Sequence, residues 1–257
     1  MKSNVFLAMA ITAAVLAVTS VSLRATETDD RIEASFKKSF VYETYLKEDH
    51  VKIGSKDGVV TLSGSVSNET HKQMAQDTSE ALPGVKSVDN RIEVTGARPA
   101  ESSDTWVSTK VTMALLFHRN VNASKTKVHV KDGIVTLSGE AASQAQKDLT
   151  TKYARDIVGV KGVNNEMTVA MASTKPDQTL GEKIDDASIT AQVKMTLMLH
   201  SSTGALRTTV TTTDGVVTVG GKARNAAEKD LVANLVEDIH GVRSVVNNMT
   251  IEEPKNN

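Results

Sequence analysis

The feature that most constrains this chain is an eight-residue segment that occurs three times. The copies read DGVVTLSG from Asp57, DGIVTLSG from Asp132 and DGVVTVGG from Asp214. A glycine 27 positions after each of these aspartates and another aspartate 28 positions before it recur as well. They are Gly84, Gly159 and Gly241, and Asp29, Asp104 and Asp186. Because the spacings repeat without a gap over about 66 residues, the chain consists of three copies of one small structural unit.

Each copy has the pattern of a helix, two strands, a second helix and a third strand. In the first helix of copy two, Val107, Val111 and Leu115 share one helical face. The Asp-Gly pair predicts a tight hairpin turn, because glycine tolerates positive φ, and the later glycine fits the end of the second helix. The predicted turn and cap residues are Asp57, Gly58, Gly84, Asp132, Gly133, Gly159, Asp214, Gly215 and Gly241. The predicted fold class is α+β, with three tandem αββαβ modules, each a three-stranded mixed sheet with two helices on one face.

The repeat and the segments around it predict the domain boundaries. They are a signal peptide at 1–25, module 1 at 29–95, a linker at 96–103, module 2 at 104–170, a linker at 171–185 and module 3 at 186–252. The uncharged run from Ser3 to Leu23 follows Lys2, which is typical of a secretory signal cleaved after Ala25. The run also approaches the length that spans a bilayer, so an uncleaved inner-membrane anchor is the alternative.

Several functional classes are excluded by what the sequence lacks. It contains no cysteine, which excludes disulfides, thiolate catalysis and lipid attachment through cysteine. A net charge of −1 disfavours nucleic-acid binding, and the hairpin lacks the phosphate-loop pattern. The repeated turn aspartates are turn formers rather than paired catalytic carboxylates. We therefore expect no enzyme activity, no cofactor and no small-molecule substrate.

The six histidines do not have the spacing of a metal site. They are His50, His71, His118, His129, His200 and His240. His118 and His200 occupy matching positions late in the first helix, where copy one has Glu43. The carboxyl end of a helix favours a cation, so we expect a surface role for both histidines and no bound metal.

Charge divides unevenly between the modules. Residues 29–95 and 185–253 each have a net charge of −3, whereas residues 103–170 have a net charge of +3. Lys125, Lys127, His129 and Lys131 alternate along the first strand of module 2 and therefore share one face of the sheet. This basic face suits an anionic surface. The alternative is that these side chains simply keep an exposed sheet soluble.

A second candidate surface lies on the first helix of module 2. Trp106, Lys110, Met113 and Phe117 form a stripe beside the apolar face, and Trp106 is the only tryptophan. Copy three has Ser188 where copy two has Trp106, so we expect this ring to be at least partly exposed. A tryptophan beside lysine suits a membrane interface. Contact with a neighbouring module and additional core packing are the alternatives.

The hairpin, the helix behind it and the following segment (LPGVKSV from Leu82, IVGVKGV from Ile157, IHGVRSV from Ile239) resemble the BON domain. That family is named for bacterial osmotically inducible protein Y and nodulation proteins. The resemblance covers nearly everything after residue 25 and implies an αββαβ fold, residence in the periplasm or envelope, and association with phospholipid surfaces or stress protection. It implies no catalytic residues. We expect a non-catalytic periplasmic protein whose partners are anionic phospholipid surfaces or envelope proteins; the alternative is a soluble, chaperone-like or protein-binding scaffold.

Overall fold

The computed structural model describes residues 26–96, 99–170 and 184–252. These residues belong to two compact units, Met1–Gly96 and Ala97–Asn257. Module 1 lies in the first unit, and modules 2 and 3 together form the second. The predicted signal peptide lies outside the described residues. None of the helices in the described ranges is long and apolar enough to cross a membrane.

The three modules share one order of elements. Module 1 has α1 at 26–37, a π-helical turn at Tyr42–Leu46, β1 at His50–Lys56, β2 at Val59–Val66, α2 at Glu69–Glu80, β3 at Ser87–Asn90 and β4 at Glu93–Val94. Module 2 has α3 at Asp104–Phe117, a 3-10 turn at Ala123–Lys125, β5 at Thr126–Lys131, β6 at Ile134–Ala141, α4 at Gln144–Arg155, β7 at Gly162–Asn165 and β8 at Thr168–Val169. Module 3 has α5 at Asp186–Leu199, a 3-10 turn at Ala205–Arg207, β9 at Thr208–Thr213, β10 at Val216–Ala223, α6 at Ala226–Glu237, β11 at Ser244–Asn247 and β12 at Thr250–Ile251.

The sheet topology confirms the predicted fold class. In module 2 the central strand β6 pairs antiparallel with β5 and parallel with both β7 and β8. The other two modules repeat this mixed arrangement around β2 and β10. Val135 and Leu137 are buried beneath the helices, whereas Ile134 on the opposite face is exposed. One face of each sheet is therefore covered, and the other is open.

The last strand of each module is broken in two, a detail that the sequence pattern did not predict. At the break in module 2, Asn165 Oδ1 accepts a 3.0 Å hydrogen bond from the Met167 amide, and its Nδ2 donates to the Lys147 carbonyl at 2.9 Å. Lys147 Nζ donates to the Met167 carbonyl at 2.6 Å. Modules 1 and 3 use Asn90 and Asn247 in the same way. These side chains satisfy the backbone groups that are not paired with another strand at the break. The side chain of Met167, two residues after Asn165, enters the core.

The aspartate before each module ties the first helix to the hairpin turn. Asp132 and Gly133 have φ of 55° and 81°, and both of their amides donate to the Asp104 carboxylate at 2.8 Å. The hydrogen bond from Gly133 and then that from Asp132 lower the pKa of Asp104. Aspartate is a favourable N-cap residue, but Ser103 caps this helix and Asp104 lies one position later, as its first helical residue. This shift frees the carboxylate to bind the turn.

Candidate functional site

The basic face of module 2 lies on the open side of its sheet. Lys127, His129 and Lys131 are exposed on β5 and alternate with Val128 and Val130, which point toward the helices. Lys125 is exposed in the preceding 3-10 turn. Among the described residues, no acidic side chain lies within ion-pair distance of Lys127 or Lys131. Three lysines and a histidine therefore point outward from one strand and the turn that leads into it.

Module 3 has no such basic face at the equivalent strand. Thr209, Thr211 and Thr213 replace the outward-pointing residues of β5. Its one cation, Arg207, is half-buried and forms ion pairs with Glu252 at 2.9 Å and Glu228 at 3.7 Å. The positions that match these two acids in module 2 are Ala170 and Gln146. Module 2 therefore does not have these two carboxylates at the matching positions.

Trp106 is held between its own module and a lysine. Its side chain is half-buried, and a Cβ built on Gly159 would come within 2.9 Å of Trp106 Cζ3, so the ring lies directly over that glycine. Lys110 Nζ lies 3.5 Å from the ring centroid, in a cation–π contact. Burial of the ammonium group lowers the pKa of Lys110, while Glu101 opposes this shift. The ring is partly exposed, as the sequence predicted, but a lysine covers it.

The rest of the predicted stripe is not at the surface. Met113 is 7% exposed and Phe117 is fully buried. The Phe117 carbonyl accepts a 3.0 Å hydrogen bond from the His240 amide of module 3. This end of α3 therefore lies against the neighbouring module, which was one of the alternatives for the stripe. Only Trp106 and Lys110 remain on the side that solvent reaches.

The surface role expected for His118 and His200 is wrong. The side chains of both histidines are 0% exposed, because the end of α3 packs against the end of α5. His118 stacks on Tyr153 at a centroid distance of 3.8 Å, and its Nδ1 lies 3.4 Å from Asp238 Oδ2. His200 Nδ1 lies 2.9 Å from Asp156 Oδ2. The end of this helix would be exposed in an isolated module, but here the neighbouring module excludes solvent from both histidines.

These side chains form an inter-module seam, comprising His118, Tyr153, Asp156, His200 and Asp238. Equivalent residues of modules 2 and 3 differ by 82 in number, so His118 corresponds to His200 and Asp156 to Asp238. Each of the two His–Asp pairs therefore joins the histidine of one module to the aspartate of the other. Backbone bridges follow the same relation, His118 with Ile239 and His200 with Ile157. The seam is therefore pseudo-symmetric, like the self-complementary interface of a homodimer.

Four backbone hydrogen bonds close the seam in two symmetric pairs. The Arg119 amide donates to the Asp238 carbonyl at 2.9 Å, and the Ser201 amide donates to the Asp156 carbonyl at 2.7 Å. The Val158 amide donates to the Leu199 carbonyl at 3.0 Å, which matches the bond from His240 to Phe117. Module 1 has Glu43, Ala81 and Pro83 at the positions of His118, Asp156 and Val158. It therefore lacks the histidine, the carboxylate and one amide donor of this arrangement.

No group of three or more side chains that could hold a metal ion occurs within the described ranges. Both ring nitrogens of His118 and the Nε2 of His200 have no hydrogen-bond partner within the described residues, so neither imidazole is hydrogen-bonded to a hydroxyl nucleophile there. The seam joins modules 2 and 3, whereas the basic face of module 2 is exposed to solvent.

Comparison with known proteins agrees with this module-by-module description. The chain is 31% identical over 143 residues to osmotically-inducible protein Y of Escherichia coli (strain K12), covering 54% of this chain and 71% of that protein. It is 29% identical over 138 residues to the outer membrane lipoprotein DolP of Haemophilus influenzae, covering 52% of this chain and 71% of that protein.

Among solved structures, CdsD, a structural protein of the type III secretion system of Chlamydia trachomatis, aligns with 84% of this chain over 91% of the CdsD chain. It does so at 18% identity and a TM-score of 0.26, which is too low to carry an argument. The model of the BON domain matches residues 28–96, 103–171 and 185–253. The chain therefore belongs to the BON-domain family and carries three copies of that domain.

Proposed function

We propose that this protein is a non-catalytic, periplasmic envelope protein that associates with anionic phospholipid surfaces through the open sheet face of module 2. The observation that carries the proposal is the exposed row Lys127, His129 and Lys131, in which neither lysine forms an ion pair with an acidic side chain in the part of the chain that the structure describes. Lysines near an anionic membrane contribute about 1 kcal/mol each. A rigid strand holds them at a fixed spacing on one plane, which suits a flat charged surface.

The envelope location is supported by the N-terminal sequence and by relatives. The apolar run Ser3–Leu23 has the composition of a signal peptide, and one relative is named an outer membrane lipoprotein. This chain contains no cysteine to carry a lipid. Its membrane contact would therefore depend on charge and surface residues rather than on an acyl chain.

The test is co-sedimentation of the mature chain with vesicles of phosphatidylglycerol and phosphatidylcholine. The protein should bind the anionic vesicles at low salt and be released at high salt, because screening weakens exposed charge contacts. A Lys127→Thr, Lys131→Thr double variant copies Thr209 and Thr213 of module 3. It should lose roughly 2 kcal/mol of binding, about thirtyfold, from two removed charges.

A matched control removes the same charge from the same module elsewhere. Lys152→Thr with Arg155→Thr changes two exposed cations on α4, away from the open sheet face. This variant should bind the anionic vesicles as the wild type does. Equal losses in the two double variants would show that net charge alone, rather than the strand face, attracts the protein.

Trp106 reports whether an apolar contact adds to the charge. Its emission should shift to the blue only if the ring leaves Lys110 and enters lipid, and salt should not reverse that shift. Trp106→Ser copies Ser188 of module 3. If high salt abolishes binding and the Trp106 emission does not shift, the membrane contact is made by the strand face alone. Absence of binding to any vesicle would overturn the lipid function and favour the protein-binding scaffold.

A further inference from the structure

The seam between modules 2 and 3 contains a buried histidine that no hydrogen bond satisfies. His118 is 0% exposed, and neither of its ring nitrogens has a hydrogen-bond partner among the described residues. Its Nδ1 reaches Asp238 Oδ2 only at 3.4 Å. Buried polar atoms are nearly always hydrogen-bonded, so this exception requires an explanation.

Aromatic and charged side chains from both modules surround His118. Tyr153 of α4 stacks on its ring, and the His200 ring meets it edge-on at a centroid distance of 5.8 Å. Asp238 follows α6 and provides the negative charge, while His240 and Arg119 are the other nearby basic groups. His118 is therefore surrounded by one carboxylate, Asp238, and by three side chains that are or can become cationic.

Asp238 already uses its oxygens on other donors. Tyr153 donates its hydroxyl proton to Oδ2 at 2.6 Å, and Asn120 donates from Nδ2 to Oδ1. These bonds hold the carboxylate in place while His118 is neutral. A protonated His118 would gain the attraction of Asp238 but would lose its hydration within a closed seam.

We propose that the seam is an acid-sensitive latch: protonation of His118 loosens the contact between modules 2 and 3. The neutral ring fits the closed seam, because it stacks on Tyr153 and requires no counter-ion. The protonated ring is better accommodated in an open seam, where water reaches both nitrogens. The two modules then separate at their helix ends without either module unfolding.

The direction of the pH effect follows from linkage. Burial lowers the pKa of His118 below its ordinary value of 6.5, although Asp238 opposes this shift. The open state therefore binds more protons, so closure is most favourable above pH 6.5 and weakens as pH falls toward the folded pKa. Burial raises the pKa of Asp156, but hydrogen bonds from His200, Ser202 and Ser201 outweigh it and leave the pKa below 3.8. Asp156 thus stays ionised through that window.

Amide hydrogen exchange on the full chain tests the latch directly. The amides of Arg119, Val158, Ser201 and His240 all donate across the seam. After correction for intrinsic exchange, their protection should fall by up to about tenfold between pH 7.5 and 5.5, because pH 5.5 lies one unit below the ordinary histidine pKa of 6.5 and each unit corresponds to a tenfold change in the equilibrium. The Lys161 and Arg243 amides donate within modules 2 and 3, to Gly133 and Gly215, and should keep their protection.

Variants at position 118 assign the effect to this histidine. His118→Phe keeps a ring against Tyr153, His118→Gln keeps a polar side chain, and neither residue titrates in this range. Both should retain seam protection at pH 5.5. His50→Thr removes an exposed histidine of module 1 and should leave the wild-type pH dependence of seam protection unchanged.

Two results would overturn the latch. One is that the four seam amides keep their protection down to pH 5.5, or lose it equally in the His118 variants. The other is that the His118 ring, followed by nitrogen NMR in the wild type, titrates above the ordinary histidine pKa of 6.5. The ring titration requires no substitution, so the proposal can be rejected even if the variants fold poorly.

Discussion

The Tyr153 hydroxyl donates a 2.6 Å hydrogen bond to Asp238 Oδ2, joining α4 of module 2 to the end of α6 in module 3. Tyr153 is 7% exposed, and burial followed by this bond raises the pKa of its phenol well above the ordinary value. Module 3 has Leu235 at the matching position, so this bond has no symmetric counterpart. The seam is therefore pseudo-symmetric in its backbone and asymmetric in its chemistry.

Tyr153→Phe should destabilise the unit that contains modules 2 and 3. Hydrogen bonds to charged groups contribute about 1.5–3 kcal/mol, and Asp238 would keep only part of its solvation. The measurement is urea unfolding at neutral pH. Tyr42→Phe is a control in module 1, because the Tyr42 hydroxyl has no hydrogen-bond partner among the described residues. A loss in the control as large as in Tyr153→Phe would contradict a specific role for the seam bond.

Asp156→Ala, which copies Ala81 of module 1, should open the seam from the other side. It removes the acceptor of His200, Ser201 and Ser202. Water can replace the acceptor at exposed Ser201, but the buried His200 ring is left unsatisfied, at a cost of about 1–3 kcal/mol. Protection of the Val158 and Ser201 amides should fall at neutral pH. Asp148→Ala alters an exposed acid on the same helix and should leave that protection intact. Wild-type exchange in Asp156→Ala would show that the backbone ladder alone holds the modules.

Gly159→Val should damage module 2. Gly159 has φ of +96°, and a Cβ there would lie 2.9 Å from both Trp106 Cζ3 and Val107 Cγ2. A left-handed conformation costs a β-branched residue about 1–3 kcal/mol before any repacking. Gly54→Ala is the matched control, because nothing lies within 4 Å of its added Cβ. Thermal unfolding should separate the two variants, and equal melting temperatures would refute this account of Gly159.

Asp104→Asn should weaken the hydrogen-bonded contact between α3 and the hairpin turn. The asparagine side chain carries no charge and has one oxygen for the two amides of Asp132 and Gly133. Because the folded pKa of Asp104 is lowered, its contribution is present above pH 3.8 and is lost as pH falls through the folded pKa. The stability difference from wild type should therefore shrink in acid, as chemical denaturation at several pH values will show. Asp230→Asn, at an exposed position, should show no such convergence.

Mass spectrometry of envelope material should find a mature chain that begins near Thr26. The motivation is the apolar run Ser3–Leu23, which the polar residues after Ala25 terminate. An intact N-terminus recovered with the membrane fraction would identify an anchor in place of a signal peptide.

Most of the fold could be predicted because each local signal acts within one module. The Asp-Gly pairs indicate hairpins, and Asn68, Ser143 and Asn225 indicate helix starts, where each side chain accepts a hydrogen bond from the amide three residues later. The tripled spacing then establishes that these signals belong together. What the sequence by itself determined is therefore the number, class and internal order of the modules.

The tertiary structure decided which surfaces are exposed. His118 and Asp238 are separated by 120 residues, so no periodicity along one helix could bring them together. The usable signal was a difference between copies: modules 2 and 3 share a histidine and an aspartate that module 1 replaces with Glu43 and Ala81. Burial depends on what another module covers, and that is a property of packing rather than of local pattern. For the same reason Phe117 entered the seam while Lys127, on the opposite side of its module, stayed in solvent.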